Sequence, residues 1–176
     1  MSAVINKCDS APARGYRRGR GVRGRAEPEG LIVLADSPVT VDDVAAVAGK
    51  RVVVIEDGPT LTHGSMSFGA GVVGARAAGV AQIVDPTPYA VGSIAATYAK
   101  YPNARGILPA MGYGDAQTRD LEATIEAMDV DAVVSGTPID LTRVLSVSKP
   151  MTRARYSLAE RQPGQLETAV RSALKA

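Results

Sequence analysis

Four consecutive apolar β-branched residues, Val52-Val53-Val54-Ile55, constrain this fold more than any other stretch. A run without polar alternation reads as a strand buried on both faces, the kind found in a parallel sheet covered by helices. It drops into Glu56-Asp57-Gly58-Pro59, two carboxylates and a turn pair, where a buried strand would surface. Hydroxyls and the chain's single histidine follow: Thr60, Thr62, His63, Ser65 and Ser67. Gly69, Gly71 and Gly74 then sit in a segment of small residues that reads as a helix packed close on its neighbour. In an open parallel sheet, ligands bind outside the carboxyl ends of the strands. The loop after Ile55 is therefore the expected active surface.

The rest of the chain alternates in the same way. Ala3-Val4-Ile5 reads as the end of a buried strand and Leu31-Ile32-Val33-Leu34 as another. Val39 to Gly49 reads as a short helix begun at Thr40 or Asp42 and closed by Gly49. Val80 to Asp85 is an expected strand, and Pro88 is placed as the first residue of a helix that Pro102 ends. Ile107-Leu108 predicts a brief strand. Asp115 is the expected cap of a helix whose stripe is Leu121, Ile125 and Met128. Ala132 to Val134, Val144 to Val147 and Arg153 to Tyr156 read as strands, the last with Arg153 and Arg155 on one face. Thr137-Pro138-Ile139-Asp140 has a capping-box layout, and Leu166, Val170 and Leu174 stripe a closing helix. The class is α/β, a mainly parallel sheet flanked by helices.

With 176 residues, 45% of them apolar, the chain is long enough to bury a core, and with no Trp and one Phe that core must be Val, Ala, Leu and Ile. One cysteine, Cys8, excludes an internal disulfide and fits a reducing compartment, so a cytoplasmic location is expected. No apolar run approaches the roughly 20 residues that cross a bilayer.

The net charge of +2 is unevenly spread. Arg14 to Gly30 alternates six arginines with glycines and follows no apolar period, which predicts a disordered excursion. Such a tract either holds nucleic-acid phosphates through its arginines or is a solvated loop; with Tyr16 as its one interleaved aromatic, nucleic acid is the less expected partner. Asn6-Lys7-Cys8-Asp9 after the first strand resembles the guanine-recognition motif of P-loop GTPases, with Asn6, Lys7 and Asp9 as nucleotide-binding residues; the alternative is a plain turn.

Gly69-x-Gly71-x-x-Gly74 fits the dinucleotide fingerprint but lies well beyond the end of its strand, so close helix packing is the simpler account. A single His and a single Cys give no zinc cluster. Glu56 and Asp57 either hold Mg²⁺ beside a phosphate, with Asp57 as the metal ligand, or are a solvated acid pair. Thr60, Thr62, Gly64 and Ser65 are the expected anion site, since helix N-terminal amides attract phosphate. Arg153 and Arg155 are the counter-charges, and His63 is placed to donate a proton, with Glu56 and Asp57 as further catalytic candidates.

EDGPTLTHGSMSFGAG, IVDPTPYAVGSI, GILPAMGYG, VVSGTPIDLTRV and KPMTRARY, in this order, resemble the cyclic 2,3-diphosphoglycerate synthetase family, which is P-loop GTPase-like. The likeness covers Ala3–Ala11 and Leu31 to about Tyr156. It implies an ATP- or GTP-dependent, Mg²⁺-requiring ligase that closes an intramolecular phosphoanhydride on 2,3-bisphosphoglycerate. It also implies that residues 1–50 end a P-loop NTPase-like domain and 51–176 form a C-terminal α/β domain. The family's GxxxxGK[ST] loop does not occur here, so the chain reads as the C-terminal part of such a protein, with an N-terminal P-loop half as a partner and homo-oligomers allowed. Two other functions stay open: a non-catalytic phosphometabolite-binding or GTPase-like module, and nucleic-acid binding through the Arg/Gly tract.

Overall fold

The computed structural model describes residues 3–6, 32–58 and 68–174. The Arg/Gly tract, Lys7, Asp9 and residues 59–67 lie outside the described residues. In chain order the elements are β1 (Ala3–Ile5), β2 (Ile32–Asp36), β3 (Val39–Val41), β4 (Arg51–Asp57), α1 (Ala70–Ala77), β5 (Gln82–Ile83) and α2 (Gly92–Lys100). They continue with β6 (Leu108–Ala110), α3 (Asp115–Ala127), β7 (Ala132–Ser135), β8 (Met151–Tyr156), β9 (Ala159–Glu160) and α4 (Gln165–Ala173). This is the expected α/β class.

The chain divides into two compact units, Val39–Arg155 and the pair of segments Met1–Pro38 and Tyr156–Ala176. In the smaller unit β1 pairs parallel with β2, and β2 pairs antiparallel with β9. Among its described residues, Val33, Ala35 and Ala169 are the buried apolar ones. Arg161 Nε donates to Asp36 Oδ1 at 2.7 Å.

The larger unit carries a six-stranded sheet in the order β3-β8-β7-β4-β5, with β6 pairing β4 beyond β5. β4 is its axis. Val52 to Glu56 are all buried, and β5, β6 and β7 all lie parallel to β4. Ile55 pairs with Ser135 of β7, and Ser135 pairs with Arg153 of β8. Paired residues of neighbouring strands share a face, and alternation puts Asp57 on that face with Ile55, while Val54 and Glu56 point to the other. α1 covers the second face: a Cβ on Gly71 would come within 2.7 Å of Val54, and one on Gly74 within 2.9 Å of Ala154. Close helix packing is thus what two of the fingerprint glycines provide. On α3, Leu121, Thr124 and Ile125 are buried along the expected stripe, which Met128 completes.

Several expected elements take another form. Val39 to Val41 is a strand rather than the start of a helix: three β-branched residues pair onto the sheet edge, and the Asp42 amide donates to the Arg153 carbonyl. Only turns follow as far as Gly49. Val80 to Asp85 contributes two strand residues, Gln82 and Ile83. The helix placed at Pro88 is broken in two, a 3₁₀ turn at Thr87–Tyr89 and then α2, which starts at Gly92. Gly114, not Asp115, is the cap residue of α3. Val144 to Val147 forms no strand. The stripe on α4 fails as a core face, because Val170 and Leu174 are exposed and Ala169 is the residue buried. No helix among the described residues is long and apolar enough to cross a membrane.

Candidate functional site at the carboxyl end of the sheet

The two carboxylates that end β4 separate onto opposite faces. Glu56 turns under α1 and is 2% exposed. Its Oε1 accepts the N–H groups of Gly69 and Val72, each at 2.9 Å, and the Gly71 amide also donates to the carboxylate. These are the orphan donors of a helix N-terminus, normally free to take an anion. Here the protein supplies the anion itself. Burial raises the Glu56 pKa, the three amides oppose that rise, and the neighbouring Asp57 charge adds to it. Glycine is required around it: a Cβ on Gly69 would stand 2.5 Å from Glu56 Oε2, and one on Gly136 would stand 2.4 Å from both Glu56 Oε2 and the Gly71 nitrogen.

Asp57 emerges half-buried on the other face. Around it the carboxyl ends of three strands bring together hydroxyls that the sequence did not single out as ligands. Tyr113, just past β6, lies close to the Thr137 hydroxyl. Thr137 Oγ1 lies 3.1 Å from Ser135 Oγ and donates to the Ile139 carbonyl at 2.9 Å. Burial first, and then the Asp57 charge, raise the Tyr113 pKa, so this phenol stays a proton donor through the neutral range. Thr137 is not the head of a capping box. Asp140 is the cap instead, its Oδ1 accepting from the Thr142 amide at 3.2 Å and hydroxyl at 2.7 Å, ahead of a short 3₁₀ turn at Leu141–Arg143. The hydroxyl bond leads the causes that hold the Asp140 carboxyl below its usual range.

The two arginines of β8 do share a face, as their spacing predicts, but they differ in use. Arg155 donates from Nε and Nη2 to both oxygens of Asp42, at 2.6 and 2.8 Å. That bond lowers the Asp42 pKa and raises that of Arg155. Arg153 donates from Nη2 to the Pro138 carbonyl at 2.9 Å, and its Nη1 stands 4.0 Å from Asp140 Oδ2. Its Nε is buried without a hydrogen-bond partner.

Among the other residues singled out in the sequence, Asn6 is exposed directly after β1, in the smaller unit. Lys7, Asp9, Thr60, Thr62, His63, Gly64 and Ser65 lie outside the described residues. For Mg²⁺ the described residues offer Asp57 alone, since Glu56 is committed to backbone amides. No three His, Cys, Asp or Glu among the described residues gather to hold a metal. A shallow hollow between β6, α2 and α3, lined by Pro109 to Gly112 with Ile94 and Gln117, carries no charged side chain.

No protein-family model matches the chain. Over 157 residues it is 49% identical to the arginine synthetase ArcE of Thermococcus kodakarensis (strain ATCC BAA-918 / JCM 12380 / KOD1). The match takes in 89% of this chain and 35% of that relative, so the chain spans about a third of the length of the curated protein it resembles. This finding corrects the family expectation. The relative is named for arginine synthesis, not for cyclic 2,3-diphosphoglycerate, and phosphoanhydride closure on 2,3-bisphosphoglycerate is set aside. Neither the phosphometabolite-binding module nor nucleic-acid binding through the Arg/Gly tract gains support.

Proposed function

We propose that this chain is a segment of an arginine-forming synthetase. The observation that carries the reading is the 49% identity over 157 residues to a protein of that name. The carboxyl end of the sheet agrees with it: Asp57 and Arg153 put one carboxylate and one guanidinium on a single face, with the Tyr113 phenol near Asp57. That is a mixed-charge surface, suited to an amino acid. Synthetases drive bond formation with a nucleotide, and ATP or GTP with Mg²⁺ is the cofactor this reading requires, held with residues beyond those described.

A chimera provides the test. The matched residues of the Thermococcus protein are replaced by those of this chain, and arginine formation is followed by amino-acid analysis. The chimera is expected to form arginine. A chimera that folds with the parent's melting temperature and forms none removes the proposal.

A further inference from the structure

We infer that the outer flank of α4 is a docking face for polypeptide equivalent to the part of the Thermococcus relative that this chain does not span. The inference uses that relative's length and not its reaction, so it goes beyond the arginine-forming reading. At 3.6 residues per turn, Ala169, Ala173, Leu166, Val170 and Leu174 follow one another around an apolar arc of about 140°. Glu167, Thr168, Arg171 and Ser172 fill the opposite side. Ala169 at one margin of the arc is buried, while at the other Val170 is 49% and Leu174 82% exposed. The helix itself is anchored. Glu160 of β9 accepts the amides of Gly164, at 2.9 Å, and of Leu166, so a carboxylate caps its first turn. The bare flank is thus held in place.

Single apolar residues on a surface are ordinary, but the balance in the smaller unit is not. Among its described residues Val4, Tyr156, Leu158, Val170 and Leu174 are exposed, against Val33, Ala35 and Ala169 buried. Arg14 to Gly30 bring Tyr16 and Val22 as their only large apolar side chains, too few to cover the flank. An apolar face with a polar rim marks a protein contact, and the Glu167–Arg171 ion pair borders this one. The likeness to a longer protein supplies the occupant, since this chain spans 35% of that relative. The remainder of such a protein needs a surface on this segment to pack against. The unit with the unfinished core offers one.

The test compares the purified chain with a chimera in which the full chain stands in place of the relative's matched residues. Val170→Cys puts a thiol on the apolar flank and Ser172→Cys puts one on the polar side of α4. Maleimide labelling of each is followed peptide by peptide with mass spectrometry. In the purified chain the two thiols are expected to label at similar rates. In the chimera Val170→Cys is expected to label about tenfold more slowly or less, as a buried group would, and Ser172→Cys at nearly its former rate. Val170→Glu gives a second readout, expected to leave the melting temperature of the chain almost unchanged and to lower that of the chimera. Equal labelling of Val170→Cys in chain and chimera overturns the inference, as does a chimera that does not fold, because the surfaces then do not fit. Slow labelling of Val170→Cys in the purified chain, with sedimentation as a dimer that Val170→Glu splits, also overturns it and makes a second copy the occupant. A protected Val170→Cys in a folded chimera that forms no arginine upholds the docking face while the arginine-forming reading falls.

Discussion

Glu56 is a residue whose charge state is set by opposing forces. Burial penalises the carboxylate more than the amides of Val72, Gly71 and Gly69 stabilise it, so its folded pKa is raised above the usual value of 4.5. For a carboxyl with a raised folded pKa, the linked stability is fully present below the unfolded pKa and is lost as pH rises through the folded one. The stability difference between the parent chain and Glu56→Gln should therefore shrink as pH rises from below 4.5 through the raised pKa. Urea denaturation of both proteins across that window measures it. A difference that grows with pH would mean the helix amides outweigh burial. At neutral pH Glu56→Gln should still cost about 1–3 kcal/mol, because an amide NH₂ presented to backbone donors leaves a buried N–H unsatisfied. In the sequence the acid pair Glu56-Asp57 was visible, but not that it splits between two faces. Period-2 alternation implies the split; what the residue order does not show is that α1 returns to cap Glu56.

At the scale of elements, the packing of α1 on β4 and β7 depends on glycines whose missing side chains make space for Glu56. Gly136 is the most restrictive, since its Cβ would stand 2.4 Å from the Gly71 nitrogen and 2.8 Å from its Cα, backbone atoms that cannot swing aside. Gly136→Ala should cost on the order of 1–3 kcal/mol or more by overpacking. Gly114→Ala is the comparison, as its Cβ would find only the end of Gln117 at 3.7 Å; it should change the melting temperature little. Equal melting temperatures for the two variants would show that α1 can move off the sheet freely. The elements that could be read from the sequence are those fixed by burial on both faces or by a full helical stripe, such as β4, β7 and α3. Those that could not were decided by partners far away in the chain. Val39 to Val41 has helix-compatible spacing into Gly49, yet β-branched residues at a free sheet edge pair with β8 instead. Leu166, Val170 and Leu174 have the period of a core stripe, and in the described structure that stripe meets too little to be buried. Tyr113 was flanked by Gly112 and Gly114 after an expected strand, a signal for a side chain presented at a sheet end that the reading passed over.

For the whole molecule, the question is what a chain that spans about a third of its relative's length can do by itself. In P-loop enzymes, phosphoryl transfer rests on backbone amides and a lysine that cradle the β and γ phosphates. GxxxxGK[ST] is found nowhere in the 176 residues. The helix N-terminus best placed to substitute for it, that of α1 at the carboxyl end of β4, already holds Glu56. Displacing that carboxylate would require a buried acid to leave its amide donors for water. The purified chain, given ATP or GTP with Mg²⁺, should therefore release no phosphate above background in a coupled assay, even with L-arginine or its precursors present. The same residues carried in the chimera should support turnover, with the relative's remaining length beside them. Nucleotide hydrolysis by the chain alone that persists through further purification would show that the chain forms a phosphate site by itself and would overturn this expectation.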